Sequence, residues 1–281
     1  MANNALDLNN LRLAVLIDAE NVPRNYVKSV MEEIAIYGTP TIKRIYGDWT
    51  NPSISSWKAS LLENAITPIQ QYSYTTGKNS SDSAMIIDAM DILYTDKTDG
   101  FVIVSSDSDF TRLAIRLREA GQRVIGIGEK KTPTAFIAAC DKFTYIEVIR
   151  AGGGDTQIEQ NETQPSQADA QQECDDIDHK QNVQHRDKQS HTARSRSVKI
   201  PNSIINLIAD SVADLAGDEG VVFMGELGNL IMKKQPNFDC RNFGHKTLSA
   251  MIKTIDRFEI DFRQTADPNI KHPYVRDKEA T

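Results

Sequence analysis

The stretch Phe101-Val102-Ile103-Val104-Ser105-Ser106-Asp107-Ser108-Asp109-Phe110 decides the fold. Four consecutive large apolar residues, three of them β-branched, suit a strand covered on both faces, because a strand with one wet face alternates instead. The run stops in a cluster of serines and aspartates. From Phe110 the apolar residues return at helical spacing until Gly121 closes the pattern. The same unit of strand, polar turn and helix recurs on either side. Residues 11–17 read as an apolar strand ending at Asp18. Residues 26–37 have helical spacing, 41–46 form a strand, 54–64 a helix and 69–74 a strand. A strong helix follows at 82–94; beyond residue 121 come a strand at 123–127, a helix at 133–140 and a last strand at 143–148. Strands that alternate with helices imply a parallel sheet covered on both faces, an α/β fold.

The rest of the 281 residues divides into three parts. Residues 151–196 open with Ala151-Gly152-Gly153-Gly154, contain no aromatic residue and have few large aliphatics. Such a segment cannot bury enough apolar surface to offset the entropy of ordering, so it reads as a polar spacer. His179, His185 and His191 recur there every six residues, a period that suits no single helix face. Residues 197–265 read as a small helical domain. Its first helix, 201–216, carries Ile204, Ile205, Ile208, Val212 and Leu215 as a stripe. Helices at 224–233 and 243–255 and a short strand at 258–262 complete it, and the polar tail 266–281 is expected to be loose.

Composition narrows the function classes. The chain is 40% hydrophobic and 25% charged, a globular balance. No apolar run approaches the roughly 20 residues of a membrane span, and the polar N-terminus does not read as a signal peptide. Cys140, Cys174 and Cys240 lie far apart, with neither a disulfide framework nor a zinc spacing, so a reducing cytoplasm is the expected setting. The net charge of −7 splits into −2 for residues 1–150, −4 for 151–196 and −1 for 197–281. No segment offers the broad positive surface of a generic duplex binder.

In open parallel sheets, ligands bind beyond the carboxyl ends of the strands. Asp18-Ala19-Glu20-Asn21 follows the first strand, and Asp107 and Asp109 follow the strand 101–104. Asp82 lies near the start of the strong helix, after Lys78-Asn79-Ser80-Ser81. Each acid has a plain structural use, as a turn former or a helix cap. Jointly they place three acidic clusters at one edge of the sheet. Carboxylates gathered there raise each other's pKa values, and a divalent cation removes the conflict. Oxygen donors favour Mg2+ or Mn2+ over zinc, and such ions assist phosphodiester hydrolysis. Asp88 lies about 120° around its helix from Asp82, and its role stays open; Asp91 reads as solvated surface.

The motifs Asp18-Ala19-Glu20-Asn21, Tyr46-Gly47-Asp48-Trp49, Thr76-Gly77-Lys78-Asn79, residues 82–91, residues 105–110 and Gly128-Glu129-Lys130-Lys131-Thr132-Pro133 occur in this order. Together they resemble the NYN domain, and more specifically its bacterial LabA-like branch, over about residues 10–150. That resemblance implies a Rossmann-like, PIN-like nuclease fold, an acidic Mg2+ or Mn2+ site and RNA cleavage. It makes Asp18, Asp82, Asp107 and Asp109 the metal-site and catalytic candidates, with Asn21 as polar partner of the first Asp and a candidate contact to phosphate. Lys78, Lys130 and Lys131 are candidate phosphate contacts, and Trp49 is the first candidate for stacking on an unpaired base. Tyr46, Trp57, Tyr72 and Tyr74 read first as packing residues.

Residues 220–230, Pro236-Asn237-Phe238-Asp239 and residues 241–248 look like an OST-HTH (LOTUS) domain covering about 198–265. That resemblance implies a small winged helix-turn-helix that binds RNA or a protein partner. Lys233, Lys234, Arg241 and Lys246 are its candidate phosphate contacts. The leading expectation is a metal-dependent ribonuclease with an RNA- or partner-binding second domain; the rival is an inactive RNA-binding adaptor. No Gly-x-Gly-x-x-Gly or P-loop pattern supports a nucleotide-cofactor enzyme. A homodimer is a further possible assembly, though no heptad pattern argues for one.

Overall fold

The structure is a computed structural model. It describes residues 11–51, 54, 57–72, 80–152, 199–217, 220–264 and 271–280, and these belong to one compact unit. The spacer reading for 153–196, the three histidines in it, and Lys78 and Tyr74 lie outside the described residues.

The first half alternates as its sequence pattern demands. In order come β1 (Leu11–Asp18), α1 (Val27–Tyr37), β2 (Gly38–Gly47), α2 (Lys58–Glu63), β3 (Thr67–Gln70) and α3 (Ser80–Tyr94). Then follow β4 (Gly100–Val104), α4 (Thr111–Glu119), β5 (Arg123–Gly128), α5 (Thr134–Ala139), β6 (Lys142–Tyr145) and α6 (Ile146–Gly152). The six strands pair in the order β3-β2-β1-β4-β5-β6, all parallel. The chain winds outward from β1 to β3, and α3 carries it back to β4 on the other side of β1. The β1/β4 boundary is therefore the switch point, where neighbouring crossovers diverge and leave a crevice at the carboxyl ends.

Alternation along β1 builds two cores from one strand. Leu13, Val15 and Ile17 face one way and pack with Val30 and Ile34 of α1; Ala14 and Leu16 face the other way, with Met85 and Ala89 of α3 and Leu117 of α4. β4 is buried at every position, which is why its sequence is a continuous apolar run.

Two expectations for this half are corrected. The last strand stops at Tyr145, and residues 146–152 are helical. Ile146 and Ile149, a helical three apart, both reach the α1 face of the core. The third strand runs from Thr67 to Gln70 rather than over 69–74: its first residues pair with Arg44 and Ile45 of β2, and Gln71 and Tyr72 lie outside the ladder.

The second half comprises α7 (Asn202–Leu215), β7 (Val222–Phe223), α8 (Met224–Lys234), α9 (Leu248–Ile252), β8 (Phe258–Gln264) and β9 (Lys271–Asp277). Ile204, Ile208 and Val212 of α7 bury their stripe against Leu227 and Ile231 of α8 and Met251 and Ile252 of α9. The expected helix at 243–255 is corrected to a 3-10 turn at Cys240–Phe243 and the short α9. Gly244, at φ +79°, takes the left-handed conformation that terminates the turn. Thr247 then caps α9, its Oγ1 accepting from Ala250 N at 3.2 Å.

The reading of 266–281 as a loose tail is corrected over residues 271–277; residues 266–270 and 281 lie outside the described residues. β9 is the middle strand of an antiparallel sheet ordered β7-β9-β8. Its polar sequence hides this, since Val275 is the apolar residue that buries fully. Backbone pairing on both sides and the ion pair between Asp277 and Arg257 (2.7 Å) hold it.

The two halves meet at edge strand β6. Phe143 N donates to Pro236 O at 2.9 Å, so a segment of the second half caps part of the open sheet edge. Asn237 Nδ2 donates to Tyr145 Oη at 2.8 Å, and Lys142 Nζ donates to Phe238 O at 3.2 Å. Burial pushes the Lys142 ammonium down from its ordinary value. Arg241 completes the junction. Its Nη1 and Nη2 donate to the two oxygens of Glu33 at 2.8 and 2.7 Å, while Nε and Nη2 also reach Asp239. Burial alone would push Glu33 and Asp239 up, but the bonds from Arg241 outweigh it, helped by Tyr37 at Glu33 and by Lys142 at Asp239. Both carboxyls are held below the usual range.

Candidate functional site

The acidic residues meet at the carboxyl ends of β1 and β4. Ile17 lies opposite Val104 in the parallel ladder, so Asp18 and Ser105 leave the sheet side by side. Asp18 is 2% exposed, yet its carboxylate is fully engaged. Oδ1 accepts from Glu20 N at 3.0 Å; Oδ2 accepts from Asn21 Nδ2 at 2.7 Å and from Ser105 Oγ at 2.9 Å. Ser105 Oγ in turn accepts from Asp107 N at 3.1 Å. A single serine hydroxyl therefore ties the loop after β4 to the end of β1.

Asp107 caps the 3-10 turn Ser108–Phe110, its Oδ1 accepting from Asp109 N at 2.9 Å. Capping fixes the direction of the loop and keeps Asp109 on the same side. Asp82 stands in the first turn of α3. Asp82, Asp107 and Asp109 each present a carboxylate oxygen within 4.8 Å of the others, the arrangement among the described residues that could hold a metal ion. Burial, followed by the charges of Asp18 and Asp107, pushes Asp82 up to about 6. The arrangement can accept a hard cation, and it can hold or release a proton near neutral pH.

The neighbouring loop is fitted closely. Glu129 N donates to Ser106 Oγ at 2.8 Å. A Cβ on Gly128 would fall 2.6 Å from Ser105 O and 2.8 Å from Thr132 Oγ1. Only glycine lets β5 approach the site loop so nearly. Lys130 is exposed at this rim, and Lys131, also exposed, pairs with Glu129 at 2.5 Å.

The remaining candidate residues separate by position. Trp49 packs against the α1 face of the core and donates from Nε1 to Ile69 O at 2.9 Å. The ring is half-buried and ties the loop after β2 to β3. Of the other aromatic residues considered, Tyr72 is 56% exposed, whereas Tyr46 and Trp57 are buried. Arg241 is held in the junction by its pairs with Glu33 and Asp239. Lys233 and Lys246 are exposed; Lys234 pairs with Asp214 at 2.5 Å. Asp88 pairs with Arg44 and accepts from the buried Tyr46 hydroxyl and is not one of the acidic trio, and Asp91 is exposed as expected. Sequence reasoning missed Ser105 and Glu33. Ser105 sits inside the motif around Asp107 but reads as loop filler, and Glu33 looks like any exposed helix acid until Arg241 arrives from 208 residues away.

No described helix is long and apolar enough to cross a membrane. The family description for the NYN domain matches residues 12–147, and that for the OST-HTH/LOTUS domain matches residues 198–270. Among solved structures, the chain is similar to a protein of unknown function from Vibrio parahaemolyticus, at 18% identity over 52% of this chain and 96% of that one, TM-score 0.43. It is also similar to an uncharacterized protein from Nitrosomonas europaea, at 24% identity over 36% and 95%, TM-score 0.28. A segment of a Chromobacterium violaceum protein matches at 25% identity over 30% and 87%, TM-score 0.24. No curated protein matches the chain. A six-stranded parallel sheet of PIN-like α/β type, a switch-point acidic cluster and a small domain of helices and antiparallel strands thus agree with both matches, and the chain carries an NYN domain at residues 12–147 followed by an OST-HTH/LOTUS domain at residues 198–270.

Proposed function

We propose that this chain is a divalent-metal-dependent ribonuclease that hydrolyses RNA phosphodiester bonds, with its OST-HTH/LOTUS domain holding part of the RNA. The observation that carries the reading is the convergence of Asp82, Asp107 and Asp109 at the switch point. The donors are all carboxylate oxygens, which suit Mg2+ or Mn2+. Asp82, pushed up to about 6 by burial and by its acidic neighbours, has an unfavourable charge that a dication would relieve. Asp82, Asp107 and Asp109 would hold the ion. The chemistry that Mg2+ or Mn2+ supplies when bound is neutralisation of charge on the phosphate and acidification of water.

The chain's own residues position the rest. Asp18 accepts three hydrogen bonds and organises Asn21, Ser105 and the site loop behind the trio. Asn21 gives one amide hydrogen to Asp18 and keeps the other for a phosphate oxygen. Lys130 is the phosphate contact at the rim. Lys131 joins it by exchanging its exposed pair with Glu129, because such pairs are worth only about 0–1 kcal/mol. On the second domain, Lys233 and Lys246 continue the phosphate contacts.

The test is cleavage of labelled single-stranded and structured RNAs in Mn2+, Mg2+ or EDTA. Cleavage in either metal, absent in EDTA and lost in Asp107→Asn, is the expected result. Equal cleavage by Asp107→Asn would remove the site from the reaction.

A further inference from the structure

The junction between the two domains contains a cavity of about 350 Å3, lined among others by Lys130, Tyr145, Asn237, Asn242 and Phe243. We propose that it takes an unpaired nucleobase of the RNA strand whose backbone lies along the acidic site. The inference rests on the ribonuclease reading for the identity of the strand, while the chemistry of the pocket stands on its own residues.

One acceptor of the lining lacks a donor. Asn242 Oδ1 is buried and accepts no hydrogen bond, although Asn242 Nδ2 is within 3.5 Å of Asn237 O. A buried acceptor left unmatched costs about 1–3 kcal/mol, so an occupant is expected to bring donors. Phosphate brings only acceptors and is excluded as the group that enters. A nucleobase edge brings an amine or ring N–H. It also brings acceptors, and Tyr145 can meet one, because its hydroxyl accepts from Asn237 Nδ2 and keeps its own hydrogen to donate.

The walls suit a base as well. Phe243 and Tyr145 supply aromatic surface from the two domains, and stacking of this kind tolerates any base. Lys130 lines the pocket and follows Glu129 in the chain. Glu129, its neighbour in the chain, bonds Ser106, and Ser106 adjoins Asp107. A strand with one base in the junction therefore passes Lys130 before its backbone reaches the carboxylates. The seating of the second domain on β6 forms this pocket, since neither domain alone supplies both Lys130 and Asn242. Its role is to set which phosphodiester, counted from the seated base, meets the site.

The test uses the full chain in EDTA and a single-stranded RNA decamer carrying one 2-aminopurine. Wild type is expected to quench the probe as the base stacks. Asn242→Leu is expected to weaken binding about tenfold, the worth of one well-made buried hydrogen bond. Tyr145→Phe, which keeps the ring and removes only the hydroxyl that would donate to the base, serves as the second variant and is expected to weaken binding about threefold. Wild-type affinity in both variants, or no quenching in wild type, overturns the pocket. Cleavage of RNA in Mn2+ is read separately. Cleavage with no probe quenching would refute this inference and leave the ribonuclease reading intact. Quenching sensitive to Asn242→Leu without any cleavage would support the pocket and refute the ribonuclease.

Discussion

Replacing Arg241 with alanine would remove the guanidinium that joins the two domains. Arg241 makes a bidentate pair with Glu33, whose side chain is 4% exposed, and a second pair with Asp239, at 11%. Deleting one partner of a buried pair costs about 3–5 kcal/mol, mostly because the other charge stays buried without compensation. Here Tyr37 still donates to Glu33 at 2.6 Å, and Arg241 itself is 29% exposed. These reduce the expected loss to about 2–4 kcal/mol, or roughly 5–15 °C in melting temperature for a chain of this size. Thermal and urea denaturation at pH 7.5 would measure it. Arg241→Ala combined with Glu33→Gln should recover part of the loss, because no carboxylate is then stranded at position 33. The effect also depends on pH. Glu33 and Asp239 are held below their unfolded values of about 4.3 and 3.9. Their contribution is therefore complete above those values and is lost as pH falls through the depressed folded ones. The gap between wild type and Arg241→Ala should shrink on acidification below about pH 4. A variant that melts within about 1 °C of wild type at pH 7.5, with unchanged protease resistance between the domains, would refute the reasoning.

Three further outcomes follow from the site and its surroundings. Asp82→Asn should stabilise the metal-free protein by about 1–2 kcal/mol at pH 8, less than the full shift implies because the cleft is partly wet; wild-type Asp82 is protonated well below about 6, so urea titrations in EDTA should show the gap closing towards pH 4. Gly128→Ala forces a methyl onto Ser105 O and should lower RNA cleavage at least about tenfold, since small misplacements of a site loop are costly; turnover equal to wild type would contradict this. Arg44→Ala strands Asp88 beside Tyr46 and should cost about 1–3 kcal/mol in urea denaturation while leaving Mn2+ affinity unchanged by calorimetry, which separates Asp88 from the metal-site acids.

The parallel sheet was legible because β1 and β4 are buried on both faces and must be written in continuous apolar residues. The acids were legible because the topology leaves only the carboxyl ends of β1 and β4 for a ligand, and Asp18 and Asp107 stand there. Position within the site was less legible. Asp18 looks equivalent to Asp107 in sequence, yet it is buried and accepts three hydrogen bonds, while the oxygens that gather within 4.8 Å belong to Asp82, Asp107 and Asp109. Arg241 and Lys246 look alike as cations of one motif, but Arg241 is captured by Glu33, a contact that no local pattern encodes. Trp49 sits in a loop, where a large aromatic invites a stacking role; the partner for its indole N–H is Ile69 O, on a strand 20 residues away. β9 was invisible because a central strand of a small sheet needs only one fully buried side chain, and Val275 supplies it. Local periodicity thus recorded burial, while long-range ion pairs and backbone pairing left no local trace.

The most direct measurement of the central claim is the single-turnover rate of RNA cleavage across a Mn2+ titration, for wild type, Asp82→Asn and Asp107→Asn, with Mn2+ binding followed calorimetrically on the same samples. A carboxylate metal site predicts that the wild-type rate rises with Mn2+ occupancy and returns to background in EDTA, and that both variants lose occupancy and rate together. Wild-type cleavage that ignores Mn2+ and EDTA, or variants that bind no Mn2+ yet cleave at the wild-type rate, would contradict it.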